Sequence, residues 1–183
     1  MLGVWHDTTA STCHSQDATA FATLAGVGGA SRATLSLAYL SKTLSRAWGN
    51  SFVDADCFGS GTSDRVYGFI SYPEVRARCF AGDDAGALEQ LRRTWGWMIN
   101  REPGNTVWEG VGAGGDIANY EGAFTSMAHG WAAGAAPALV SVARISPLVS
   151  RTECSTHRPT MSWVWNQLLP DLLLTTLYRI LET

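Results

Sequence analysis

The sequence predicts an all-α chain built of helical hairpins, and three observations carry that expectation. Apolar residues recur at three- and four-residue spacings in several stretches, the period of one face of a helix. Between those stretches stand glycines that stop helices and Ser or Asp residues that cap them. No stretch alternates apolar with polar residues as a half-buried strand does, so no strand is expected.

The elements follow in order. Residues 1–14 read as irregular. Ser15 or Asp17 caps a first helix reaching about Leu24, and the glycines at 26, 28 and 29 stop it. Ser31 caps a second helix to about Trp48, whose Leu35, Leu37, Ala38, Leu40, Leu44 and Ala47 fit the helical period. Two helices joined by a short glycine turn form an αα-hairpin. Residues 50–68 are polar and glycine-rich and read as a connection, with Asp54, Asp56 and Asp64 as solvated turn residues. A third helix is expected over 69–80 with Pro73 near its first turn, ended by Gly82. Asp83 or Asp84 caps a fourth, from Ala85 to about Asn100, with Leu88, Leu91, Trp95 and Met98 on one face. Pro103 and Gly104 break it. After a glycine-rich loop, a fifth helix is expected from about Phe124 to Ala143, rich in Ala and Gly and kinked by Pro137.

Residues 144–160 are polar and aperiodic, and 161–183 could form one amphipathic helix around Trp163, Trp165, Leu169, Leu172 and Leu177. Neither shares the glycine loops of what precedes. The expected division is therefore a helical domain over 1–143 and an atypical tail over 144–183, for which a mis-spliced or frame-shifted gene model is the simplest explanation.

A chain of 183 residues is normally one domain and can bury roughly 70% of its unfolded surface. The net charge of −3 excludes a strongly basic nucleic-acid surface. No run of like charges marks a membrane patch, and no apolar stretch spans a bilayer. The first residues carry neither a basic start nor an apolar core, so no signal peptide is expected. Cys13, Cys57, Cys79 and Cys154 form no C-x-x-C and leave three disulfide pairings open; their even number is a weak sign of an oxidising compartment. The histidines show no zinc spacing, and no metal or cofactor is expected.

Three motifs fall away on inspection. Gly110-Val-Gly-Ala-Gly-Gly115 matches G-x-G-x-x-G, but Pro103 and Gly104 stand where an apolar strand is needed and no acidic residue follows at the right distance. Lys42 is the sole lysine, so a phosphate-loop lysine is missing, and no G-x-S-x-G elbow occurs.

The stretch that does carry chemistry runs from 105 to 134. Trp108-Glu109 opens its glycine-rich loop, and His129 and Trp131 follow in the Ala-rich segment. A sugar ring stacks on an indole, its hydroxyls bond to charged side chains, and a carboxylate activates water. The ordinary alternatives are an exposed loop glutamate, a histidine bonded inside a helix interface, and tryptophans that fill the core. Asp116, Asn119 and Glu121 read as loop polar groups.

The sequences Asn105-Thr-Val-Trp-Glu-Gly110 and Ser126-Met-Ala-His-Gly-Trp-Ala-Ala-Gly134 resemble the α-L-rhamnosidases of the six-hairpin glycosidase superfamily. His14-Ser-Gln-Asp-Ala-Thr-Ala-Phe-Ala-Thr-Leu-Ala-Gly26 and the stretch from Tyr72-Pro-Glu-Val to Arg93-Thr-Trp-Gly-Trp-Met98 resemble it too, in order, over about residues 1–143. The resemblance implies an (α/α)6 toroid and an inverting hydrolysis of terminal α-L-rhamnose from glycosides or polysaccharides. It implies Glu109 as general base, His129 as a sugar contact at the pocket floor, and Trp108 and Trp131 as pocket walls. The family's general acid comes from an acidic, arginine-containing motif in the first half of the toroid, and no such motif lies ahead of Glu109. The expectation is thus about half of a barrel, holding the base and the sugar contacts and inactive alone. Its partner is a rhamnoside; the oligomeric state stays open. Full-length members of the family are often secreted, and the localisation of this chain is left open. Two rival readings are a non-catalytic helical module that binds sugar or another partner, and a toroid glycosidase for a different sugar.

Overall fold

The computed structural model describes residues 4–59, 61–101 and 106–143. The expected tail of 144–183, with Cys154, lies outside the described residues.

Helix α1, Gln16–Leu24, starts where expected: the Ser15 hydroxyl accepts the Ala18 N–H and satisfies one of the donors a helix start leaves unpaired. Helix α2, Gly29–Thr43, starts earlier than Ser31, because Gly28 takes the left-handed conformation and turns the chain directly into it. It also ends before Trp48. Ser45–Arg46 (β1) and Gly49–Asn50 (β2) pair antiparallel instead. This small hairpin corrects the expectation of no strand; two-residue strands are too short to show alternation in a sequence. Gly49 has a φ of 120°, and a Cβ there would fall 2.5 Å from the Thr94 hydroxyl oxygen.

Helix α3, Gly68–Ala81, contains Pro73 and ends at Gly82 in the left-handed conformation. Asp83 caps α4, Asp84–Leu91, by accepting the Gly86 N–H. The helix then widens through a π turn at Arg92–Gly96 into α5, Trp97–Ile99. Its expected face is the buried one: Leu91, Trp95 and Met98 enter the core and Leu88 packs against it.

The fifth expected helix is the largest correction. Only α6, Ala135–Ala143, is α-helical; residues 122–134 form bends and two 3-10 turns at Gly122–Phe124 and Gly130–Ala132. Each glycine costs a helix interior about 1 kcal/mol relative to alanine, and here the small residues serve close packing. Pro137 falls in the first turn of α6, where its missing N–H has no intrahelical partner to lose, so it does not kink the helix.

Helix α1 packs on α3 and α3 on α6, while α2 lies against α1 and α4 against α3 and α6. Ala20 and Ala77 are fully buried with Leu37, Leu40 and Leu44 in the α1–α2–α3 core. A second core gathers Val75, Leu91, Trp95, Met98, Trp108, Val111 and Leu139. Between α1 and α3 lies a charged network. The Glu74 carboxylate accepts from Gln16 Nε2, from Asn50 Nδ2 at 2.7 Å and from Arg78 Nε at 2.7 Å, all buried. Burial opposes the Arg78 charge, but Glu74 and Asp83 outweigh it and raise its pKa.

The segments that lead into α1 and α3 are bonded to one another and to the loop around Val111. Gln16 N donates to Phe52 O, Phe52 N donates to Arg65 O, and Val66 and Val111 exchange both backbone bonds. This belt brings the starts of α1 and α3 to one edge of the helical layer, together with the loop that carries Glu109.

The belt's outer end is stapled by a Cys13–Cys57 disulfide; Cys79 is buried in the core. Beside it, Asp54 is no solvated turn residue. Its carboxylate accepts from Tyr39 OH at 2.6 Å, lies 2.7 Å from His14 Nδ1, and accepts the His14 N–H at 2.9 Å. Burial pushes its pKa up, but these hydrogen bonds outweigh it and hold the carboxyl below the usual range.

Candidate functional site

Glu109 and His129 are brought together by two loop segments bonded to each other. Glu109 N donates to Ser126 O at 2.9 Å, and His129 N donates to Val107 O at 2.9 Å. These bonds lay 126–129 alongside 107–109. The Ser126 N–H in turn donates to Glu109 Oε2 at 3.3 Å. That oxygen is 3.8 Å from His129 Nδ1, with the two side chains 21% and 27% exposed. The separation is too long for a hydrogen bond and close enough for one hydroxyl or water to touch both groups. Partial exposure gives a ligand access while keeping the charge partly out of bulk water.

Trp131 is half exposed, and its ring centroid is 4.4 Å from that of His129. Trp108 is placed elsewhere: it is 2% exposed and belongs to the core around Val75 and Met98. The structure therefore gathers Glu109, His129 and Trp131, while Trp108 anchors the Glu109 loop from inside. Of the loop polar groups, Asp116 holds Asn119, and Glu121 pairs with Arg65 at 3.0 Å.

The loop after Glu109 is packed by glycines that could not be anything larger. A Cβ on Gly110 would fall 2.4 Å from the Tyr120 ring, and one on Gly112 would fall 2.3 Å from the Asn119 carbonyl carbon. Tyr120 is thus pressed against the residue following Glu109. Arg65 holds it there, its guanidinium 4.7 Å from the ring centroid and donating to Tyr120 O at 2.7 Å. Burial, Tyr67 and the nearby Glu109 charge all push the Tyr120 phenol's pKa upward. The phenol stays protonated, so it can pack beside a carboxylate without charge repulsion.

Sequence reading missed Tyr120, Arg65 and Ser126. Tyr120 follows a glycine-rich run at a distance no periodicity marks.

Among the described residues, no cluster of three or more His, Cys, Asp or Glu side chains could hold a metal ion, and no helix is long and apolar enough to cross a membrane. Compared with known proteins, the sequence matches no family model and no curated protein at a significant level.

Proposed function

We propose that this chain is the base-bearing, sugar-binding part of an inverting glycoside hydrolase of the α-L-rhamnosidase type. The observation that carries the proposal is the 3.8 Å approach of Glu109 Oε2 to His129 Nδ1 beside a half-exposed indole. These two residues are 20 apart in the sequence and sit on separate chain segments. In this reading α1, α3 and α6 are inner helices of an (α/α)6 toroid, α2 and α4 are outer ones, and about half the barrel is present. The packing of α1 on α3 and of α3 on α6, and the belt joining the segments ahead of α1 and α3, support that arrangement.

The chemistry follows from the groups. Glu109, as a carboxylate, accepts a proton from a water held over the anomeric carbon. The Ser126 N–H on Oε2 fixes the carboxylate's orientation. His129 bonds a sugar hydroxyl and keeps the ring from drifting off the base, while the Trp131 indole takes the ring's C–H face. Inversion also requires a second carboxyl to protonate the leaving oxygen, about 6.5–9.5 Å from the base, which leaves room for the water. The resemblance places that acid in the other half of the toroid.

The 183-residue chain is accordingly expected to bind rhamnosides without cleaving a chromogenic rhamnoside. In a polypeptide that carries the family's acid motif ahead of residue 1, Glu109→Gln should abolish turnover and leave binding largely intact. A normal kcat in that variant would remove Glu109 from the role of base. Binding without cleavage in the longer polypeptide would favour a non-catalytic sugar-binding module. A panel of aryl glycosides tests for another sugar.

A further inference from the structure

The structure assigns Arg65 the role of a positioning residue for Glu109: acting through Tyr120, it clamps the loop that orients the Glu109 carboxylate. This role rests on the reading of Glu109 as the base and names what keeps that base in place. A reacting group misplaced by about 1 Å can lose about 100-fold in rate, so a glutamate on a glycine-rich loop needs such a hold. Arg65 stands just ahead of α3, and its guanidinium is spent on two adjacent residues. Nη1 is 3.0 Å from Glu121 Oε1, Nη2 donates to Tyr120 O at 2.7 Å, and Cζ lies 4.7 Å from the Tyr120 ring centroid. The Tyr67 ring meets the Tyr120 ring edge-on, with centroids 5.7 Å apart. Between these two, Val66 exchanges both backbone bonds with Val111. Three consecutive residues therefore grip two points of the site loop: Val66 holds Val111, while Arg65 and Tyr67 hold Tyr120.

Glu109 is engaged twice by the segment that Arg65 holds. Ser126 accepts the Glu109 N–H and donates its own N–H to Glu109 Oε2. The next residue, Gly110, lies against the Tyr120 ring. Both contacts come from residues 117–126, which are tied into one unit. Gly122 N donates to Ile117 O at 2.9 Å, the Thr125 hydroxyl donates to the same oxygen at 3.4 Å, and Glu121 N donates to Thr125 Oγ1 at 3.2 Å. Apolar packing does not fix the end of this unit, since Phe124 is 90% exposed. The Arg65 guanidinium does so instead, bonding the Tyr120 carbonyl and the Glu121 carboxylate from outside. Its planar fork makes these contacts while its face covers the Tyr120 ring, a combination that a point charge such as lysine does not offer. Without the fork, Tyr120 and Ser126 are released together, and with them both holds on Glu109.

Amide chemical shifts of the 183-residue chain at neutral pH test the clamp. The Ser126 amide proton is bonded to a carboxylate, so Glu109→Gln should move its signal, and the size of that move reads the Glu109–Ser126 contact. The move is expected to be clear in the wild-type background. It should be lost when Glu109→Gln is combined with Arg65→Met, which keeps an unbranched stem without the fork, or with Tyr120→Leu, which removes the ring. It should survive with Tyr120→Phe, which keeps the ring against Gly110 and the backbone oxygen for Arg65. The Val66 and Val111 amides should stay protected from hydrogen exchange in every variant, since their pairing does not pass through the guanidinium. A Ser126 signal that ignores Glu109→Gln in the wild-type background overturns the clamp, and so does a move that persists with Arg65→Met and Tyr120→Leu. Loss of Val66 and Val111 protection along with the move also overturns it, because Arg65 would then hold the belt as a whole. A wild type that shows the expected pattern but binds no methyl α-L-rhamnoside overturns the sugar reading and leaves the clamp standing.

Discussion

Glu74 and Glu109 are both carboxylates at the junction of two segments, and they are held in opposite ways. Glu74, on α3, is wholly buried and accepts from an amide of α1, an amide of the β2 hairpin and the guanidinium of Arg78. Glu109, on a loop, has a fifth of its side chain exposed, takes a long bond from one backbone N–H, and stands off from His129. The first carboxylate has its bonding capacity filled by the fold and fixes how α1 meets α3. The second is oriented by the fold and open to a ligand. The same contrast runs through the two regions: helices packed by alanine and leucine around a closed charged network, and a glycine-packed belt that ends in an open pair.

The sharpest way to break that contrast is to remove both carboxylates in parallel. Glu74→Ala leaves the buried Arg78 with Asp83 as its remaining ionic partner and unpairs the buried Gln16 and Asn50 amides, and should cost about 3–5 kcal/mol, whereas Glu109→Ala should cost under about 1 kcal/mol. Urea unfolding of the two variants measures both, and comparable losses would show that Glu109 is a structural residue too. Next in size is the staple at the belt's outer end. Reducing Cys13–Cys57, which closes a span of 44 residues, should lower stability by about 2–4 kcal/mol, read from unfolding with and without a dithiol reductant.

Gly112→Ala follows. Its methyl meets backbone at Asn119, which cannot rotate away as a side chain could, so a loss of about 1–3 kcal/mol is expected. The same unfolding assay reads it, and a rhamnoside titration of that variant shows whether the loop also sets the site.

The smallest effect belongs to the Asp54 cluster, where Tyr39→Phe should cost about 1 kcal/mol. The folded pKa of Asp54 lies below its unfolded value. Its contribution is therefore fully present above about pH 4 and is lost as pH falls through the folded pKa. Removing the Tyr39 donor should flatten that acid limb, as stability measured against pH between neutral and acid would show.

How much of this was legible in the sequence follows from what makes each part. The hairpin helices were readable because Leu37, Leu40 and Leu44, or Leu91, Trp95 and Met98, repeat a period that burial imposes, and because Ser15 and Asp83 are local caps. The belt was not, because pairings such as Val66 with Val111 or His129 with Val107 join residues far apart and show in no short window. Residues 124–134 misread as helix for a related reason: their alanines favour a helix locally, and the docking on Tyr72, Trp95 and Gly68 that overrides this is tertiary. Glu109, His129 and Trp131 stood out by residue type and by the resemblance. Trp108, with the same credentials, went to the core, since an indole beside a carboxylate says nothing about which way it faces.

The most direct test of the central claim is calorimetric titration of methyl α-L-rhamnoside into the wild-type chain, Glu109→Gln and His129→Ala. The proposed site predicts saturable binding to the wild type, retained in Glu109→Gln and lost or weakened at least tenfold in His129→Ala, a change of about 1.4 kcal/mol. No binding to the wild type, or an isotherm unchanged in His129→Ala, would contradict it.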